Sequence, residues 1–199
     1  MKIITFPVGS FEVNCSILSG PSGAWIVDPG SDGERIIAEI GKLGCAPSGV
    51  LLTHVHFDHI GAIPALQRRW PELPVFLDAR DRPALGHPMN QFPPDYPAVP
   101  VPACLRTDWP ACVEVIETPG HTPGGVCFYL KDEATLLSGD TLFAGSVGRT
   151  DFPGGSMDVL LKSLGKLMAL PDNTRVIPGH GGFTTIGRER EENPFIARG

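Results

Sequence analysis

The chain has 199 residues, 42% of them apolar, and a net charge of −6. That length and apolar share predict one globular domain over residues 1–199. An acidic chain without a basic stripe argues against a nucleic-acid partner, and no run nears the ~20 apolar residues that a membrane span needs.

After Met1-Lys2 the short apolar run is broken by Pro7 and Gly9, which does not read as a signal peptide. Five scattered cysteines without a Cys-x-x-Cys pair (Cys15, Cys45, Cys104, Cys112 and Cys127) read as reduced thiols and predict a cytoplasmic location.

Taken in chain order, the patterns predict strands over 2–8, 12–18 and 23–27 and a turn at Asp28-Pro29-Gly30. A helix over 33–43, a buried strand over 49–53 and a helix over 62–70 follow. Residues 74–77 read as a strand and 79–85 as a short helix. Seven prolines between His87 and Pro110 exclude continuous helix or central strand there. Met89, Phe92, Tyr96 and Trp109 suit either a pocket lid or a surface connector. His87 itself reads as a surface histidine. Strands over 113–117, 126–130 and 135–137 come next, then a helix over 157–170 and a strand over 174–177. In that helix Leu160, Leu161, Leu164, Leu167 and Met168 are expected on the core face.

Chemistry concentrates where strands end. Thr53-His54-Val55-His56-Phe57-Asp58-His59 closes the buried strand with three imidazoles and a carboxylate. These are donor types for zinc and other borderline divalent metals. In a still-extended chain His54 and His56 point to one side. His121, Asp140 and His180 each follow a strand-like segment, and each is preceded by glycine. Cys127 has a metal-binding alternative, but its neighbours Val126, Phe128 and Tyr129 favour strand packing.

Together these motifs resemble the metallo-β-lactamase superfamily. The resemblance implies an α/β (α+β) fold, an αββα sandwich of two mixed β-sheets with helices outside and metals at one edge. It implies one metal on His54, His56 and His121, a second on Asp58, His59 and His180, and Asp140 bridging both. Asp140 stands where β-lactamases of this fold commonly carry cysteine, which is similar to the glyoxalase II branch. The stretches 145–155 and 187–195 resemble short, stand-alone glyoxalase II-like bacterial hydrolases. The C-terminal helical glutathione-binding domain of full-length glyoxalase II is not expected within 1–199. After His180 the basic residues are Arg188, Arg190 and Arg198, and both tyrosines, Tyr96 and Tyr129, come earlier.

The implied activity is dinuclear metal-dependent hydrolysis of S-lactoylglutathione or related hydroxyacyl thioesters. A hydroxide held between two divalent ions would be the nucleophile, with Asp58 and Asp140 as the catalytic carboxylates. Zinc is the first expectation, and the same donors accept iron or manganese. The alternative is a mononuclear iron oxidoreductase similar to the persulfide dioxygenases, with iron on His54, His121 and Asp140. The expected partner is a small-molecule thioester, with no nucleic acid and no membrane. Arg149 could grip a substrate carboxylate, or could instead fix its own loop through Asp151 or the backbone. Asp28 reads as support for the metal loop or as a turn former, and Thr122, Ser146 and Asp151 as further supporting groups.

Overall fold

Thirteen strands and five α-helices are found in the described residues of the computed structural model, which are 1–21, 23–86, 102 and 104–196. They form two compact units, Met1–Trp109 and Pro110–Gly199.

The first unit carries a six-stranded mixed sheet in the order β1-β2-β3-β4-β5-β6. Its strands are β1 (Lys2–Val8), β2 (Val13–Gly20), β3 (Gly23–Val27), β4 (Pro47–Leu51), β5 (Val75–Phe76) and β6 (Leu105–Arg106). The first three run antiparallel and the rest join in parallel. Helix α1 (Gly33–Gly41) buries Ile36 and Ile40, one helical turn apart, on one face. These residues share a core with Ile17, Ile26, Val50 and Val75 from the sheet and with Ile63 and Leu66 of α3 (Ile63–Arg69). Between β4 and α3 lies the single turn α2 (Phe57–Ile60).

The second unit carries a five-stranded mixed sheet in the order β13-β12-β9-β8-β7. Its strands are β7 (Glu114–Glu117), β8 (Val126–Leu130), β9 (Thr135–Gly139), β12 (Arg175–Pro178) and β13 (Thr184–Thr185). A separate two-stranded hairpin joins β10 (Leu142–Phe143) to β11 (Ser146–Val147). Helix α4 (Met157–Leu167) buries Leu160, Leu164 and Leu167 against Cys127, Leu136 and Val176. Helix α5 (Ile186–Glu192) follows β13 directly.

Strand pairing explains why the site residues gather. β3 and β4 are parallel neighbours, so both end at one edge of the sheet, where Asp28 N donates to Leu51 O at 3.1 Å. β9 and β12 are also parallel, and Gly179 N donates to Gly139 O at 2.8 Å just past their ends. The antiparallel β8 starts at that same edge, bringing the turn that holds His121 beside Gly139.

The two mixed sheets and their helices match the expected α/β class. Several local expectations are corrected. Leu161 is 42% exposed, because one residue beyond Leu160 turns it about 100° off the buried stripe. The short helix expected over 79–85 is the 3-10 helix Arg82–Gly86, and the strand expected over 49–53 is Pro47–Leu51. Strands β6, β10, β11 and β13 and helix α5 were not anticipated. His87, Met89, Phe92, Tyr96, Arg198 and five of the seven prolines lie outside the described residues, and the reading of that stretch as lid or connector lies there too. Among the described residues no helix is long and apolar enough to cross a membrane.

Candidate metal centre

In the first unit, the segment between β4 and α2 bends at Thr53 and is extended at His56. Val55 is fully buried in the core, while the rings of His54 and His56 lie 4.7 Å apart, centroid to centroid. Alternation therefore sends Val55 one way and the two imidazoles the other, as the two-residue spacing requires. The ring of His59 lies 4.1 Å from that of His54, and its Nε2 lies 4.0 Å from Asp58 Oδ2.

Asp28 organises this group. Its backbone takes a positive φ of 49°, as a turn former would. Its side chain, 2% exposed, is an acceptor on three counts. Oδ1 accepts Thr53 N at 2.8 Å, and Oδ2 accepts Thr53 Oγ1 at 2.6 Å and His59 Nδ1 at 3.0 Å. Thr53 Oγ1, having given its proton to Asp28, can only accept from His54 Nδ1 at 3.0 Å. With both Nδ1 atoms carrying protons, Nε2 of His54 and of His59 keeps the lone pair that a metal needs. Thr53, which joins Asp28 to His54, was not singled out from the sequence, although its place just before the histidines was visible.

In the second unit, His121 Nδ1 donates to the Arg149 carbonyl at 2.7 Å. A carbonyl can only accept, so Nε2 again carries the lone pair. His121 Nε2 lies 3.7 Å from Asp140 Oδ2, and His180 Nε2 lies 3.6 Å from the same oxygen. These separations are too long for hydrogen bonds. They are close to the ~3.4 Å between two atoms bound tetrahedrally to one ion at bonds of ~2.0–2.2 Å. The donor set and its spacing thus fit a divalent metal. Gly120 and Gly139, which precede two of these residues, have φ of +136° and +48°, so glycine does relax the chain there. A β-carbon on Gly148 would stand 1.8 Å from the Asp140 carbonyl oxygen, so the loop approaches Asp140 as only glycine allows.

The remaining expected residues are placed as follows. The Arg149 guanidinium forms a two-pronged pair with Asp151, at 2.7 and 2.6 Å, and lies over the Phe152 ring. Both partners are more than half exposed. It is the backbone of Arg149, not its side chain, that touches a ligand-type residue. The pair holds the Asp151 carboxyl down at about 2. Thr122 is buried beside His121, and its carbonyl accepts Gly120 N at 3.0 Å. Ser146 contributes its carbonyl to Asn193 at 3.1 Å. Cys127 packs in its strand with Sγ 3.3 Å from Thr118 Oγ1, as expected, and all five cysteines are free thiols. Burial pushes the Cys15 thiol far up.

A family model described as the metallo-beta-lactamase superfamily matches residues 8–180. A probable metallo-hydrolase, YqgX of Bacillus subtilis (strain 168), is 38% identical over 98% of this chain and 98% of its own. Hydroxyacylglutathione hydrolase GloC of Haemophilus influenzae is 36% identical over the same shares. Among solved structures, TTHA1623 in a di-iron-bound form has a TM-score of 0.89 at 38% identity, covering 96% of this chain and 99% of that one. BLEG-1 B3 metallo-beta-lactamase has a TM-score of 0.87 at 36% identity, covering 98% and 99%. ETHE1 from Myxococcus xanthus has a TM-score of 0.79 at 26% identity, covering 100% and 85%. With the family model spanning most of its length and relatives above one-third identity from end to end, the chain belongs to the metallo-β-lactamase superfamily, among its metallo-hydrolases.

Proposed function

We propose that the chain is a dinuclear metal-dependent thioesterase acting on S-lactoylglutathione or related hydroxyacyl thioesters. In this reading residues 1–199 work as one domain. His54, His56 and His121 hold one ion, Asp58, His59 and His180 the other, and Asp140 is shared. The observation that carries the reading is Asp140 Oδ2, flanked by His121 and His180 at 3.7 and 3.6 Å. An oxygen donor stands there where the fold's β-lactamases commonly place a thiolate. The end-to-end likeness to GloC supports the substrate class.

When bound, two divalent ions supply a water that ionises near neutral pH and a Lewis acid for the carbonyl. The chain's own residues do the rest. Asp28, Thr53 and the Arg149 carbonyl fix three imidazoles in the tautomer that binds metal. Asp58, the other proposed catalytic carboxylate, serves within the ligand set, its Oδ2 4.0 Å from His59 Nε2. A thioester suits this arrangement because a thiol, with a pKa near ~8.5, leaves as thiolate. An amine leaving group calls for a placed general acid. Zinc is the proposed metal, and the di-iron neighbour makes iron the first substitute. Free thiols throughout support a cytoplasmic location.

The second reading, a mononuclear iron oxidoreductase of the persulfide dioxygenase kind, draws on the likeness to ETHE1. Oxygen uptake with glutathione persulfide separates the two. His59→Ala tests the dinuclear version. We expect it to lose one ion per chain and most thioesterase activity. Unchanged metal content and turnover would reject the second ion.

A further inference from the structure

Helix α5 belongs to no part of the ligand set, yet it buries a carboxylate. Ile186 and Glu189 lie on its inward face at 0% and 1% exposure, and Asn193, which caps its C-terminal end, is 0% exposed. Thr185 opens the helix by accepting Arg188 N at 3.3 Å. A buried carboxylate is tolerated only when hydrogen bonds replace its water. Glu189 has three. Oε1 accepts Thr184 Oγ1 at 2.6 Å, and Oε2 accepts Asn193 Nδ2 at 2.8 Å and Gly145 N at 2.8 Å. Asn193 Nδ2 also donates to Ser146 O at 3.1 Å.

Gly145 lies in the two-residue tip of the β10–β11 hairpin, and Ser146 opens its second strand. That hairpin is tied at both ends to ligand-type residues. It leaves Asp140 two residues before β10 starts, and it returns through Gly148 to Arg149, whose carbonyl accepts His121 Nδ1 at 2.7 Å. A shift at the tip is therefore a shift of the acceptor that sets the His121 tautomer. We propose that Glu189, with Asn193, is a positioning residue: it clamps the hairpin at Gly145 and Ser146 so that the Arg149 carbonyl holds His121 with Nε2 ready for a metal.

The clamp needs acceptor geometry rather than charge. In Glu189→Gln the amide oxygen can accept Gly145 N and Asn193 Nδ2. Its NH2 then donates to Thr184 Oγ1, a hydroxyl that can accept. Glu189→Leu keeps the bulk and removes every acceptor.

The test reads His121 itself. Nitrogen NMR of metal-free protein in mildly alkaline buffer reports which ring nitrogen carries the proton, and zinc titration reports affinity. We expect Glu189→Leu to mix the two tautomers and to lower zinc affinity by about 10-fold, with Glu189→Gln like the parent in both. If Glu189→Leu lowers Tm alone, leaving tautomer and affinity unchanged, Glu189 is only structural and the proposal fails. It also fails if the Gln variant is as impaired as the Leu variant. Should Glu189→Leu not fold, Glu189→Asp decides, because it keeps the carboxylate but shortens the side chain by one methylene and so withdraws the acceptor from Gly145 N. An unmoved His121 signal there overturns the clamp. The zinc readout rests on the metal-centre reading above. The tautomer readout does not, so parent protein that binds no zinc would sink that reading while the NMR still judged the clamp.

Discussion

Asp28 Oδ2 and His59 Nδ1 meet at 3.0 Å with both side chains buried. The same carboxylate takes Thr53 N on its other oxygen. In Asp28→Asn the oxygen must stay on the Thr53 N side, since a backbone N–H can only donate. The new NH2 then faces His59 Nδ1 and forces its proton to Nε2, the metal-binding nitrogen. We expect metal affinity to fall about 10–100-fold with the fold retained. Isothermal titration with zinc checks this, and unchanged affinity would refute the support role of Asp28.

Arg149 and Asp151 give a pH-dependent prediction. The Asp151 carboxyl sits at about 2 against an ordinary 3.8, because the guanidinium donates to both its oxygens. A depressed pKa means the favourable pairing is complete above 3.8 and is lost as pH falls through about 2. The pair is exposed, so stability at neutral pH should hardly change in Arg149→Met. Carboxylate carbon NMR should show Asp151 returning towards 3.8 in that variant. If KM for the thioester rises as well, with kcat unchanged, the side chain also binds substrate. If KM stays put, its role is confined to the loop.

Gly148→Ala places a methyl group 1.8 Å from the Asp140 carbonyl oxygen and 3.2 Å from His121 Nδ1. Backbone has to give way on both sides. We expect a loss of about 1–3 kcal/mol in urea unfolding, together with weaker metal binding. An alanine variant of parent stability and affinity would mean that the loop approaches less closely than described.

Chelation should destabilise without unfolding. Each unit has its own apolar core, built on Ile36, Val50 and Ile63 in the first and on Leu136, Leu160 and Val176 in the second. The folded state therefore does not depend on metal, but metal bound only to that state adds about 4 kcal/mol at 1,000 times Kd. Thermal scans should show a lower Tm after chelation, recovered by zinc or iron. A Tm indifferent to chelator would argue against tight binding.

Much of the site was legible because metal chemistry needs particular side chains at strand ends, and sequence order records both. His54 to His59, Gly120-His121, Gly139-Asp140 and Gly179-His180 all sit where strand patterns stop. The long strands and α4 were legible from their apolar periods. The two-residue strands β10, β11 and β13 were not, since two residues carry no period. Helix α5 was missed because its inward face holds Glu189 and Asn193, which apolar counting scores as surface. The signal was there in another form: a threonine before a charged run, and a carboxylate and an amide four residues apart. Thr53 and the Arg149 carbonyl were hidden for a different reason. A hydroxyl or backbone oxygen that orients a histidine is defined by where it lies, and no residue pattern announces it.

The most direct test of the central claim is metal content per chain by elemental analysis, measured on the same sample as S-lactoylglutathione hydrolysis. A dinuclear thioesterase holds two ions per chain and loses its thioester turnover on chelation. One iron per chain without turnover would contradict it in favour of the oxidoreductase, and two ions without turnover would contradict the substrate class.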